Sequence, residues 1–357
     1  MVIFKKFDFF TATEVDWKQF HTFRKRVNQE QTPDEPLMSD NATEHSRKGV
    51  ITTYHLINNH FAIYDDKKQI GFLNCISYSP KSSSYKGNEK IVWFDIRVLN
   101  NYRRKGVGTQ ALKLMLNLFE NASKSIFLSE CSLLEAKKFY LAIGASIGQV
   151  QYENKLIIKD VQNNMLENWI IEAESKNLDT DIKIFEGRIP DEYIEEFAIS
   201  FTESGNDQPS GDLETGEEPV TVEQTRSDER VAEQAGFKYF TCMTIEKDNK
   251  VSAISQLKMF PGREKVLAQS LTGVPKRYRG RKLGKWVKAK MLLYIKKHYP
   301  ESESIITGNA DDNEAMLHIN TSLGFKKHKE LVVYKLIIEN LKDYLNSKES
   351  ILQELNS

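Results

Sequence analysis

One short segment of this 357-residue chain occurs twice. Residues 98–108 read VLNNYRRKGVG and residues 274–284 read VPKRYRGRKLG, so valine, tyrosine, arginine and the last glycine recur 176 positions apart. A later segment is also repeated, since EAKKFYLAIGAS at 135–146 resembles EAMLHINTSLGF at 314–325. Internal similarity of this extent indicates a duplication. We therefore predict two copies of one fold, for which the chain is long enough.

Both copies are predicted to form a strand, a basic turn and a helix. In the first copy, residues 91–98 are apolar and β-branched, and apolar residues after Gly106 recur at helical spacing. A glycine turn at a helix start presents free backbone N–H groups and the positive end of the helix dipole, and both favour a phosphate. Arg103, Arg104 and Lys105 add positive charge. The turn is therefore a candidate phosphate site, although a basic turn that only caps a surface helix has the same pattern.

Two other phosphate motifs fit the first copy less well. A P-loop requires GK[ST] after its glycines, which this turn lacks. The string GVGTQA at residues 106–111 matches the dinucleotide pattern G-x-G-x-x-A. In that fingerprint, however, the first glycine directly follows the strand of an opening βαβ unit, whereas here a basic turn intervenes. A nicotinamide or flavin site is therefore disfavoured.

The composition excludes several classes of protein. Lys plus Arg and Asp plus Glu each number 50, and the resulting net charge of zero argues against a nucleic-acid-binding protein. Cys75, Cys131 and Cys242 have neither metal-ligand spacing nor a disulfide framework, which is typical of a reducing compartment. The histidines show no ligand spacing, and no metal site is expected. No apolar run is long enough to span a membrane. We therefore expect a cytoplasmic protein that binds neither membrane nor nucleic acid.

The order of the predicted elements is that of a mixed α/β sheet, built twice. The first strand is predicted at 2–10, and one or two closing strands at 145–158. The polar segment 28–50 is expected to be a loop or short helix over a cleft. The acidic segment 203–219 is expected to be a solvated loop, with a substrate-cleft loop as the alternative. The predicted parts are an N-terminal unit at 1–160, a linking helix at 161–179, a C-terminal unit at 180–337 and a helical tail at 338–357.

The repeated pattern resembles the GNAT superfamily of N-acetyltransferases, in which a strand, an R-x-x-G-x-G turn and a helix precede a second helix carrying A-x-x-F-Y-x-x-x-G. Arg103, Gly106 and Gly108 fit the family turn, whereas Lys282 replaces the middle glycine in the second copy. The phrase TGNADDNEAMLHINTSLGF and the tandem arrangement resemble the two-unit group that includes mycothiol synthase. The resemblance implies an α/β fold of two tandem units, each a mixed, mostly antiparallel twisted sheet flanked by helices.

The resemblance also implies that acetyl-CoA is the acyl donor and that its diphosphate binds at the turns. A backbone N–H near the end of each central strand, around Val98 and Val274, would polarise the thioester carbonyl. In the second unit, Asn313 and Asn320 are further candidates for cofactor binding. The residues implied at the turns are Arg103, Arg104, Lys105, Gly106, Val107, Gly108 and Thr109 in the first unit and Arg279, Gly280, Arg281, Lys282, Leu283, Gly284 and Lys285 in the second.

Tyr140 is the candidate catalytic residue. It matches the family tyrosine, whose phenol can protonate the leaving thiolate, and a packed tyrosine at a helix end is the alternative. Asn320 has the equivalent position in the second unit, and a neutral amide cannot act as an acid. Asp95 and Glu130 are candidate bases, although both also fit carboxylates with structural roles.

The sequence therefore predicts an acetyl-CoA-dependent N-acetyltransferase that transfers the acetyl group directly to a primary amine in a ternary complex. The acceptor is expected to be a small-molecule or peptide amine, and the protein a monomer or homodimer. Because Lys282 and Asn320 depart from the family pattern, the alternative is a CoA-binding pseudoenzyme or regulatory protein. Gln269 and Thr272 interrupt a strand-like run, so we expect them to line a cleft. Which unit is active stays open.

Overall fold

The structure is a computed structural model that describes residues 2–310 and 313–356. Within them the strands are β1 Val2–Lys6, β2 Leu56–Asp65, β3 Lys68–Tyr78, β4 Ile91–Val98, β5 Ile126–Cys131, β6 Ser146–Ile157, β7 Asp181–Glu186, β8 Lys238–Ile245, β9 Val251–Met259, β10 Val266–Gly273, β11 Ser304–Ala310 and β12 Lys326–Ile337. The helices are α1 Glu14–Gln31, α2 Asp40–Thr53, α3 Val107–Phe119, α4 Leu134–Ala142, α5 Asn163–Lys176, α6 Asp191–Asn206, α7 Val222–Ala235, α8 Leu283–His298, α9 Glu314–Leu323 and α10 Ile338–Asn356.

The described strands form one sheet in the order β1-β2-β3-β4-β5-β12-β6-β11-β10-β9-β8-β7. Two neighbouring pairs are parallel, β4 with β5 and β10 with β11, and each pairs over only three residues. The pairing joins residues 91–93 to 126–128 in the first pair and residues 266–268 to 304–306 in the second. Because all four strands continue beyond these residues, each half of the sheet has a cleft where its parallel strands separate.

The last strand of each half lies within the other half of the sheet. Residues 332–337 of β12 pair antiparallel with β5, and residues 151–157 of β6 pair antiparallel with β11. β6 and β12 also pair with each other and so join the two halves. The boundaries of the two units stay a prediction. The final strand of each predicted unit pairs within the half of the sheet that the other unit forms.

Local sequence signals explain several element boundaries. Thr13 and Asp16 form a capping box that starts α1, and Gly236 in the left-handed conformation ends α7. β1 ends earlier than predicted because the Asp8 carboxylate and carbonyl accept hydrogen bonds from the backbone N–H groups of Phe10 and Ala12, which turns the chain. The segment predicted as a loop or short helix at 28–50 contains most of α2, a 14-residue helix.

Helices cover both faces of the sheet. α3 and α10 pack on one face of the N-terminal half, and α5 and α8 pack on one face of the C-terminal half. On the opposite face, α1 and α6 each cover their own half. α2 and α7 contact each other between the halves, where a Cβ at Gly49 would lie 2.4 Å from Val231. Only glycine permits this close approach of the two helices. None of the described helices combines the length and apolarity needed to traverse a lipid bilayer.

The acidic segment 203–219 is held against the N-terminal half and is not the solvated loop that its composition indicates. Its Leu213 is buried against Ile91, Leu128 and Val333. The segment therefore links the C-terminal cleft to the N-terminal sheet. The Asp212 N–H donates to the Gly148 carbonyl of β6. The Gly216 N–H donates to the Asn88 side chain in the turn before β4.

Candidate active site

The two predicted phosphate turns have the same backbone conformation. Gly106 has a φ of 80° and Lys282, at the equivalent position before the helix, has a φ of 67°. Two residues earlier, Arg104 has a φ of 60° and Gly280 a φ of 83°. The turn thus requires two left-handed residues, and each copy places glycine at only one of the two positions. The replacement of the middle glycine by Lys282 therefore leaves the shape of the turn unchanged.

The amide groups of both turns are available to a ligand. Among the described residues, no acceptor binds the N–H groups of residues 104–109, and the Gln110 N–H is the first to bond back into the helix. The same holds for residues 280–285, after which the Trp286 N–H bonds to the Lys282 carbonyl. Arg103 and Arg279 each donate from Nε to the carbonyl at the end of the preceding strand, at Val98 and Val274, over 2.9 and 3.1 Å. These arginines therefore fix each turn to its strand.

A cavity of about 620 Å³ opens beside the C-terminal turn, between β10, β11, α8 and α9. β10 carries a β-bulge between Gln269 and Leu271, whereas β4 pairs with β3 without a shift in register. Gln269 and Thr272 line the cavity, as the sequence predicts. Of the predicted cofactor-binding residues, the cavity lining includes Val274, Arg279, Gly280, Lys282, Leu283, Gly284, Lys285 and Asn313.

Lys288 of α8 also lines this cavity, and sequence reasoning missed it. Its side chain is 3% exposed, and its Nζ lies 3.2 Å from Oε1 of Gln269. Burial lowers the pKa of Lys288 to about 7. The signal that could have found it is a comparison of the two copies, because Leu112 has the corresponding position in α3. A lysine on the apolar face of an amphipathic helix departs from the helical pattern.

In the N-terminal half, apolar side chains fill the corresponding region. Phe94 and Leu112 are buried at the fourth residue of β4 and the sixth of α3, where the C-terminal half has Gln269 and Lys288. Tyr140, the predicted acid, is 4% exposed, and its hydroxyl is hydrogen-bonded to Ser129 over 2.5 Å. Burial raises the pKa of Tyr140 above its ordinary range. Its catalytic role stays a prediction.

The asparagines of the C-terminal half form a buried network next to the cavity. Nδ2 of Asn320 donates to Oδ1 of Asn309 over 2.8 Å, and Asn154 of the exchanged strand β6 donates to the same oxygen over 3.3 Å. Asn313 caps α9 by accepting a hydrogen bond from the Met316 N–H. Asn320 therefore positions Asn309, which itself lines the cavity.

Several charged side chains of the C-terminal turn already have partners. Asp207, from the acidic segment, forms ion pairs with both Arg279 and Lys276. Lys282 lies 3.2 Å from Glu172, and both side chains are more than a third exposed. Arg281 is bound by Glu246 and by other side chains at the end of α5 and before β7, so its guanidinium does not line the cavity. Lys285 and the turn amides thus remain available to an anion within this cavity.

The carboxylates predicted as bases lie in the N-terminal half and have local surroundings of their own. Asp95 forms an ion pair with Arg97 over 2.6 Å. Burial, followed by the nearby charge of Glu153, raises the pKa of Glu130.

Among the described residues, Glu35, Glu153 and His328 place ligand-type atoms within 4.8 Å of one another. Lys329 forms ion pairs with both of these glutamates and supplies positive charge there.

Comparison with known proteins is consistent with this geometry. Residues 20–145 match the acetyltransferase (GNAT) family. No curated protein sequence matches the chain. A solved tandem GNAT protein from the clavulanic acid biosynthesis pathway, described as without AcCoA, has a TM-score of 0.74 at 15% identity and covers 95% of this chain and 99% of its own.

Two further solved structures have the same fold over nearly the whole chain. A GCN5-related N-acetyltransferase from Sphaerobacter thermophilus has a TM-score of 0.62 at 10% identity and covers 94% of this chain and 96% of its own. A GNAT-family acetyltransferase from Colwellia psychrerythraea has a TM-score of 0.53 at 12% identity and covers 94% of this chain and 99% of its own. These likenesses show the fold.

Proposed function

We propose that this protein transfers an acetyl group from acetyl-CoA to a primary amine, because residues 20–145 match the acetyltransferase (GNAT) family and nearly the whole chain has the fold of a solved tandem GNAT protein. The transfer is direct, within a ternary complex, and the acceptor is a small molecule or a peptide. The cysteines of the protein are free thiols, which suits a protein of the cytoplasm. We expect it to act as a monomer or homodimer.

The observation that carries this proposal is the cavity beside the C-terminal turn. The N–H groups of residues 280–285, which have no acceptor among the described residues, suit a diphosphate, since a helix start offers both donors and a positive dipole end. The cavity of about 620 Å³ between the separating strands gives room for a long, thin chain. The residues present therefore fit coenzyme A, with Lys285 as a further cation near the turn.

We propose that the C-terminal half is the site of transfer and that the N-terminal turn is a second site for coenzyme A. Acetyl-CoA supplies the activated thioester. The turn amides would hold its diphosphate, Arg279 fixes the turn by donating to the Val274 carbonyl, and a backbone N–H around Val274, which lines the cavity, is the expected source of carbonyl polarisation. Tyr140 would serve as the acid only for a reaction in the N-terminal half.

Calorimetric titration with coenzyme A tests the proposal. We expect Lys282→Glu to weaken binding at the C-terminal turn about 5-fold or more, since a reversed charge beside the diphosphate costs at least about 1 kcal/mol. Gly106→Glu tests the N-terminal turn in the same way. Lys247→Glu is the matched control, because Lys247 is an exposed lysine whose partner is Asp179, outside the cavity.

Thiol release from acetyl-CoA is then followed with spermidine, glucosamine, lysine and a short peptide as acceptors. Binding that neither turn variant affects would contradict the placement of the cofactor. Tight binding of acetyl-CoA by the wild type, with no thiol release for any class of amine, would contradict the enzymatic function.

A further inference from the structure

Lys288 is a buried amine that has no acidic partner within residues 2–310 and 313–356. Among the described residues no carboxylate forms an ion pair with it, and its polar contact is the neutral amide oxygen of Gln269 at 3.2 Å. The ring of Phe325 lies 5.2 Å from its Nζ. An ammonium group so buried is costly unless it is paired, and the neutral amine is correspondingly favoured.

Packing does not require a lysine at this position. The N-terminal half has Leu112 at the sixth residue of the equivalent helix, and that leucine is fully buried in the core. Gln269, the partner of Lys288, likewise has an apolar counterpart in Phe94. The C-terminal half has thus replaced an apolar pair by an amine and an amide at the point where its parallel strands separate.

Apart from Lys288, the described charged residues that line this cavity are at least partly accessible to solvent. Among the described residues of β10 and β11, the polar side chains that line the cavity are neutral, namely Gln269, Ser270, Thr272, Thr307 and Asn309. Within the described lining the other charged residues are Asp207 before the turn, Arg279 and Lys282 on it, Lys285 three residues before Lys288 on α8, and Glu314 at the start of α9. Burial is accordingly the only cause that lowers the pKa of Lys288.

We propose that Lys288 is the catalytic proton-transfer residue of the C-terminal site. This inference rests on the proposed function, and it supplies the acid and base that Asn320 cannot provide. The reaction forms an amide C–N bond, breaks the thioester C–S bond and moves one proton from the amine nitrogen to the sulfur. Neutral Lys288 accepts that proton at Nζ as the C–N bond forms and returns it to the sulfur as the C–S bond breaks. The lysine ends in its starting state.

The first test needs no turnover. Competitive labelling of the wild type with trace acetic anhydride, read by mass spectrometry between pH 5 and 11, measures the protonation of Lys288 against exposed lysines such as Lys297. We expect half-maximal reactivity of Lys288 near pH 7, well below the ordinary lysine value of about 10.4. Half-maximal reactivity of Lys288 at that ordinary value would overturn the proposal.

The second test uses Lys288→Leu, which installs the residue of the other half, and Lys288→Arg, whose side chain stays protonated at these pH values and can neither accept nor release the proton. With acetyl-CoA and the acceptor that gives turnover, we expect kcat of the wild type to rise with pH through about 7. In both variants this pH dependence should disappear and kcat should fall by about 10²–10⁴-fold. The affinity for coenzyme A, measured by calorimetry, should stay within about threefold of that of the wild type. Equal kcat and pH profile in the wild type and Lys288→Leu would overturn this proposal alone. Absence of turnover in the wild type would overturn the proposed function as well.

Discussion

The ring of Tyr140 stacks on that of Tyr334, with centroids 4.8 Å apart and planes inclined by 12°. Tyr334 belongs to β12, so the exchange of final strands supplies the side chain that covers Tyr140. Asn154 of β6 has the reciprocal position in the C-terminal half, where it hydrogen-bonds Asn309. Each cleft is therefore completed by the other half of the chain, with aromatic rings in the N-terminal half and with amides in the C-terminal half.

Tyr140→Phe tests the two roles available to this tyrosine. We expect a loss of about 0.5–1.5 kcal/mol in the free energy of unfolding, because the hydrogen bond to Ser129 is removed while the ring stack is kept. We expect kcat for thiol release to stay within about twofold, because the cavity lies in the other half. Ser129→Ala removes the same bond and is the matched control in urea denaturation. A large loss of kcat in Tyr140→Phe alone, with unchanged binding of coenzyme A, would make Tyr140 the acid and place transfer in the N-terminal half.

Gly106→Ala and Lys282→Gly test the shared shape of the two turns. A Cβ at Gly106 would have no heavy atom within 4 Å, so the cost of alanine there is that of a φ near 80°. We expect Gly106→Ala to lower stability by about 1 kcal/mol and Lys282→Gly to raise it by up to about 1 kcal/mol, since Lys282 already bears this cost. Thermal unfolding without ligand measures both. Changes of the same sign in the two variants would contradict the equivalence of the turns.

The sequence predicted the fold through its repeat and its hydrophobic patterns. The strand at 91–98, the turns and the helices after them lie where the pattern places them, because each depends on neighbours in the chain. The exchange of β6 and β12 could not be predicted in this way, since both strands have similar patterns and fit either half. The position of Leu213 also depends on a pocket formed by three distant strands. No local signal in its acidic segment indicates that pocket.

The site was predicted in part for a similar reason. Backbone donors at a helix start follow from the turn sequence, and they are present in both copies. Whether a cleft is open depends instead on side chains far apart in the chain, such as Tyr334 beside Tyr140 or Lys288 beside Gln269. The odd polarity of Gln269 and Thr272 within a strand-like run was a local indication of the C-terminal cavity.

Asp207→Asn tests whether the acidic segment restrains the C-terminal turn. Hydrogen bonds from Lys276, and then from Arg279, hold the pKa of Asp207 below its ordinary value, so its carboxylate is ionised beside the turn at neutral pH. An anion entering the cavity meets this charge. We expect Asp207→Asn to bind coenzyme A about 2- to 5-fold more tightly at low salt, with a smaller gain at high salt because of screening.

Glu203→Gln is the matched control for that variant. Glu203 pairs with Arg277 over 2.5 Å near the same turn but does not line the cavity. Calorimetric titration of both variants at about 0.05 and 0.5 M salt separates a local effect from a change in net charge. Equal tightening in the two variants would show a general charge effect, and weaker binding by Asp207→Asn would mean that Asp207 orders the turn for its ligand.

The burial of Lys288 predicts how stability depends on pH without any ligand. Its pKa is about 7 in the folded protein and near 10.5 when exposed, so between these values the unfolded chain binds one more proton at this residue. Stability from this residue therefore rises with pH from about 7 to 10.5, by up to about 1.4 kcal/mol per pH unit, and is constant at its low value below pH 7.

We accordingly expect the free energy of unfolding of the wild type, measured relative to Lys288→Leu, to increase by about 1–3 kcal/mol between pH 7.5 and 9.5. Urea denaturation at the two pH values gives this difference. Lys297→Leu is the matched control, since Lys297 is exposed on the same helix and its removal should leave the difference close to zero. If the difference in free energy of unfolding between the wild type and Lys288→Leu does not change with pH, the amine is solvated through the cavity. That result would remove the basis for a neutral lysine at the site.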